Sequence, residues 1–171
     1  MFKQQLAIAV VAFLVLFWII LSLISVNNEF YIRTLPSFHD DRCNSVQSLS
    51  HVWLWPRLLM MNPCVTVSGT VGAMGNSDDG DFDFLLAPDP RYISTLGRAN
   101  YTKQKGNLVI EIVCAKPATN MLAKPYCHDY TNTLALPKTG DRITVSGAFL
   151  KDLLHGGWHE LHPVYQLTIE Q

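Results

Sequence analysis

Apolar and polar positions divide the chain into two regimes. From Leu6 to Val26 every residue is apolar except Ser22 and Ser25. As a helix this run reaches roughly 31 Å, the thickness of a bilayer's hydrocarbon core. The second regime begins near Cys64, where the period shortens to two. Val65, Val67, Gly69 and Val71 alternate with Thr66, Ser68 and Thr70, the pattern of a half-buried strand, and Gly69 suggests a bulge or bend within it. Further strands are expected at Phe82 to Leu86, Asn107 to Cys114, Asp141 to Leu150 and Trp158 to Ile169. The last contains Pro163, whose missing N–H demands an edge or a bulge. Between the second and third strands, Ala87 to Gly106 reads as a surface loop. The fourth strand's I-T-V-S-G-A echoes the first strand's V-T-V-S-G-T, which suggests shared local geometry rather than duplication.

Residues 1–5 are expected on the cytoplasmic side and 6–26 across the membrane. Residues 27–63 form a tether with a short apolar cover, and 64–171 form the β-domain. The apolar run is longer than a signal peptide's core and ends without a good cleavage site, which favours an uncleaved single-pass anchor. Lys3 is the only charge before it, giving a thin positive-inside bias for a cytoplasmic N-terminus. Within the tether, Ser45 to Trp53 has apolar residues at helical intervals until Pro56 stops the pattern. Trp53, Trp55, Leu58 and Leu59, with Trp158 from the last strand, are the candidate interaction patch, and packing against the domain is the plainer account of them.

Four cysteines, Cys43, Cys64, Cys114 and Cys127, follow the anchor. An even count on the extracytoplasmic side reads as two disulfides, and pairing Cys43 with Cys64 and Cys114 with Cys127 closes short loops beside strand ends. The spacing matches no common zinc module. Net charge is −1, so no broad field attracts nucleic acid or anionic lipid. Together with an acidic loop after the first strand, this argues against a nucleic-acid partner. The sequon Asn100-Tyr101-Thr102 is a candidate glycosylation site.

Five short strands with glycine bends suggest an all-β domain, a five-stranded OB-like Greek-key barrel, preceded by one transmembrane helix. Several blocks support this by resemblance: Arg57-Leu58, Cys64 to Val71, Asp79-Gly80-Asp81, Val109 to Ile112, Gly140 to Gly147, and Gly157-Trp158-His-Glu160-Leu-His162-Pro163. In these the chain from about Trp55 to Ile169 resembles an uncharacterised family of secreted or membrane-anchored prokaryotic OB-fold-like domains. Where family members often carry histidine two residues after the second aspartate, this chain has Asp83. The resemblance implies the fold and no particular activity.

Glu160 and His162 share a strand face with Trp158, and Glu111 interrupts an otherwise apolar strand. With Asp81 and Asp83 they form a candidate oxygen and nitrogen ligand set for a divalent cation. The plainer reading has Glu160 and His162 bonding backbone around Pro163 and Glu111 paired with a lysine or arginine. The run Asp78 to Asp81 lacks the spacing of a calcium loop and reads as an acidic turn. Asp79-Gly80-Asp81 is also similar to the Asp-Gly-Asp-Thr stretch of thermonucleases, which are OB-type barrels. Phe82 stands where they have threonine, however, and no arginine pair is placed to clamp a diester. No catalytic residue is assigned and no cofactor is required beyond that candidate cation. The expected function is a membrane-anchored extracytoplasmic binding or structural module, an accessory of the cell envelope or of a membrane complex. The alternative is a metal-dependent hydrolase or metal-binding module.

Overall fold

The computed structural model describes residues 13–17, 19, 43, 49–75 and 77–170. Phe13–Phe17 and Ile19 are helical. No helix among the described residues is long and apolar enough to cross a membrane. Most of the expected 6–26 anchor lies outside the described residues, as does the start of the expected helix from Ser45; the described part of that stretch, residues 49–53, is turn and not helix, with the Val52 N–H bonded to the Leu49 carbonyl. Met1–Phe38 and His39–Gln171 are separate compact units.

The second unit contains five strands, β1 (Leu58–Met74), β2 (Phe82–Pro88), β3 (Leu108–Ile112), β4 (Arg142–Asp152) and β5 (Trp158–Ile169). Short helices α1 (Arg98–Lys103) and α2 (Lys124–Cys127) lie between strands. The sheet closes on itself in the order β1-β2-β3-β5-β4. Four of the pairings are antiparallel, whereas β3 and β5 run parallel and share only two register pairs, Val109 with Glu160 and Ile110 with Leu161. That junction is the barrel's short seam.

The alternating residues do what their period requires. Val67, Val71, Phe84, Leu86, Ile110, Ile112, Ile143, Val145 and Leu161 fill the main core. The echoed wordings of β1 and β4 prove to be direct neighbours. They pair antiparallel with Val65 opposite Gly147 and Gly69 opposite Ile143, so Thr66 meets Ser146 at 2.7 Å and Ser68 meets Thr144 at 2.8 Å. Hydroxyl pairs stitch one face while valines and isoleucine pack on the other.

β1 begins at Leu58, not near Cys64, so part of the stretch read as a separate cover is strand. Its first half lies against β4, and a second cluster (Val52, Leu58, Val113, Ala148, Leu150) forms there with Trp55 and Met60 at its edge. The apolar patch therefore divides. Leu58 is buried and Trp55 packs on this cluster, while Leu59 projects outward, 50% exposed.

Gly69 serves a different need from the one its position suggested. The pairing irregularities of β1 fall at Met60–Val65 and Val71–Met74, not at Gly69. Gly69 is paired on both sides, with Pro88 and Ile143, and a Cβ there would collide with the carbonyl oxygen of Ala87. The expected irregularity at Pro163 is present: the β4–β5 register shifts between Ser146 and Phe149, opposite His162-Pro163, whose peptide bond is cis. The loop from Ala87 to Gly106 is more ordered than its polarity suggested, since it holds a 3-10 turn at Pro90–Thr95 and then α1.

Both disulfides join the expected partners, Cys43 with Cys64 and Cys114 with Cys127. The second ties the end of β3 to α2. Because the obstruction at Gly69 is backbone, Gly69→Ala is expected to cost about 2 kcal/mol, read as a lower urea midpoint at unchanged slope.

Candidate functional site

Asp81, Glu111, Glu160 and His162 converge at the β3–β5 seam. Period-two geometry places Glu160 and His162 on the same side of β5, and both are fully buried. Glu111 reaches them from β3, and Asp81 from the turn preceding β2. The His162 Nδ1 atom lies 2.9 Å from Glu111 Oε2 and 3.1 Å from Glu160 Oε1. Its Nε2 lies 3.4 Å from Asp81 Oδ2, an ion-pair separation too long for a good hydrogen bond. The outer oxygens are held in turn: Glu160 Oε2 accepts the Trp158 indole N–H at 2.7 Å, and Asp81 Oδ1 accepts the Cys114 backbone N–H at 2.9 Å. Asp81 is aimed by its turn, where Asp79 Oδ1 accepts the Asp81 N–H and Gly80 takes a positive φ.

Burial alone would lower the basicity of His162. The negative field of Glu111, with the contacts to Asp81, Glu111 and Glu160, outweighs it and holds the ring's pKa well above its ordinary value. The plainer reading, in which these groups bonded the backbone and Glu111 met a lysine or arginine, is replaced by this mutual arrangement. Three carboxyl groups face one imidazole, and the ring carries at most one positive charge. A divalent cation is one means of balancing such a surplus of acidic groups.

The ligand-capable atoms of Asp81, Glu111 and His162 lie within 4.8 Å of one another. Oxygen and nitrogen donors at that spacing suit a hard or borderline divalent ion. Cys114 and Cys127 approach Asp81 equally closely, but their sulfurs are committed to a disulfide. Asp83 does not join the group. It sits opposite Glu111 in the β2–β3 register, with a buried Oδ1 that makes no hydrogen bond. Desolvation, followed by repulsion from Glu111, raises its pKa.

Asn100, the candidate glycosylation residue, is fully buried and all four of its amide hydrogen bonds are made. Its oxygen accepts the Gly97 and His159 N–H groups, and its nitrogen donates to the Asn107 and His159 carbonyls. It pins α1 to β5, and a glycan on that nitrogen is incompatible with this fold. Reading by sequence alone misses Asp152 and Arg57, a buried ion pair joining β4 to the turn before β1. The signal present for them is a charge beside apolar residues in Trp-Pro-Arg-Leu and Lys-Asp-Leu-Leu.

Comparison of the chain with protein-family models, with curated proteins and with solved structures returns no match.

Two outcomes follow from this geometry. His162 is more basic folded than unfolded, so its contribution to stability is complete below the ordinary value of 6.5 and declines as pH rises from there toward the raised folded value. Metal-free protein is therefore expected to lose denaturant resistance on that alkaline limb, and His162→Ala, which leaves the buried carboxylates unpaired, to cost about 3–5 kcal/mol. Conversely, Asp83→Asn removes a like charge opposite Glu111 and is expected to raise stability at pH 7 by up to about 1 kcal/mol in urea unfolding.

Proposed function

We propose that the protein is an extracytoplasmic binding or structural module, held at the membrane by its N-terminal apolar segment as a single-pass anchor. It would serve as an accessory to the cell envelope or to a larger membrane complex. The observation that carries this reading is the pair of disulfides stapling a closed β-domain that follows an apolar run of bilayer length. The strand order β1-β2-β3-β5-β4 with a parallel β3–β5 junction supports an OB-type Greek-key barrel, as the resemblance of the Trp55 to Ile169 blocks implies. Burial of Glu160 and His162 argues against catalysis there, since no substrate reaches them in the closed barrel. Leu59, the exposed member of the Trp53, Trp55, Leu58, Leu59 and Trp158 patch, is the residue of that set best placed to meet a protein partner.

A second reading is favoured by the His162 constellation: a divalent cation held by Asp81, Glu111 and His162, making the domain a metal-binding module. Loading the ion would expel the proton from His162, so affinity would rise with pH.

The address is tested by fractionation and protease protection. Full-length protein is expected to stay in carbonate-washed membranes with a C-terminal tag at Gln171 accessible only from outside, and a tag reached only from the cytosol refutes it. Elemental analysis of the purified full-length protein, wild type against Glu111→Gln and His162→Ala, separates the readings. Stoichiometric metal lost in the variants supports the second, and metal-free wild type supports the first.

A further inference from the structure

A cavity of about 290 Å³ opens between α1 and the turn joining β4 to β5, and none of the buried carboxyl cluster lines it. Its walls carry Arg98 and Lys103 from α1, Lys151 from β4 and His159 from β5, and none of its lining residues is acidic. Three of the chain's 13 lysines and arginines therefore face one concavity in a protein whose net charge is −1.

These side chains are placed by the fold. Lys103 lies across Gly156, where a Cβ would strike its ammonium, and Lys151 lies across Gly157, where a Cβ would come within 2.9 Å of its Cε. The His159 ring rests on Gly97, whose added Cβ would be 2.8 Å from Nε2. Gly156 and Gly157 both take positive φ, a conformation glycine adopts without strain. The turn is clamped from below by Asp152, which accepts the His155 N–H at 2.9 Å and pairs with buried Arg57, while the Gly157 N–H bonds the Asp152 carbonyl. Asp152 is thereby committed and does not neutralise the cavity. Among the described residues Arg98 and Lys151 have no carboxylate partner, and the Lys103 ammonium bonds only the His155 carbonyl at 3.3 Å. The His159 Nδ1 donates to the Thr95 carbonyl at 2.9 Å, which fixes the ring's orientation.

We propose that this cavity binds a phosphate group borne by a small molecule or a lipid. Three basic side chains outnumber a single carboxylate, whereas a phosphate dianion offers oxygens in several directions to a guanidinium and two amino groups. The volume leaves room for a small organic substituent beside the phosphate.

The test uses full-length protein in an uncharged detergent, titrated by calorimetry with inorganic phosphate, glycerol phosphate, and phosphatidic acid dissolved in the micelles. Saturable binding is expected, weakened about tenfold by each of Lys103→Gln and Lys151→Gln, because one charge-assisted bond of about 1.4 kcal/mol is lost in each. Lys138→Gln, on an exposed turn elsewhere, is the control expected to leave affinity unchanged. Preference for glycerol phosphate would identify a soluble ligand and preference for phosphatidic acid a lipid headgroup, and either supports the site. The proposal is overturned if no probe saturates, or if the two lysine variants, unfolding at the wild-type temperature, bind as wild type does.

Discussion

A single buried imidazole bridges the short seam at which this barrel closes. The β3 and β5 strands run parallel and pair over a very short length, so their backbones supply little of the cohesion the seam requires. Packing of Ile110 and Leu161 adds to it, and His162 spans the seam from the side, with Glu111 of β3 and Glu160 of its own strand at one nitrogen and Asp81 at the other. The carboxyls would repel one another without the ring, and the ring would be costly to bury without them. Each is tolerated inside only because the others are there.

From that seam a line of polar contacts runs along β5 toward the end of β4. Glu160 holds the Trp158 indole, the Trp158 ring stacks on His155 at 4.9 Å, and His155 bonds Asp152, the partner of Arg57. The same strand presents His159 in the opposite direction, where Asn100 binds its backbone and fastens α1. One face of β5 thus meets a largely buried acidic cluster, and the other a basic concavity. The two stay separate because the buried groups are committed to one another and the basic side chains are backed by glycine.

The disulfides work on other parts of the chain. Cys114–Cys127 ties α2 to the end of β3 beside the backbone N–H that steadies Asp81, so it braces the acidic turn as well as the loop. Cys43–Cys64 fastens the tether to β1. Cross-links of this kind persist in oxidising compartments.

Strand positions were legible because alternation is a local property: Val65, Val67 and Val71 announce a buried face whatever lies opposite. Disulfide partners followed from short loops, and Glu160 and His162 shared a face because they are two residues apart. Other features depend on groups distant in the chain. That Gly69 is needed for the Ala87 carbonyl, that Asn100 is buried within a polar loop, and that Asp81 faces His162 while nearby Asp83 does not are all consequences of ring closure. The basic cavity was equally invisible, since Arg98, Lys103 and Lys151 come together only when α1 packs against the Gly156-Gly157 turn. Local periodicity determined which segments are strands and which cysteines lie near strand ends. Only the closed sheet decided which charges meet, because charge contact depends on spatial neighbours that no short window of sequence contains.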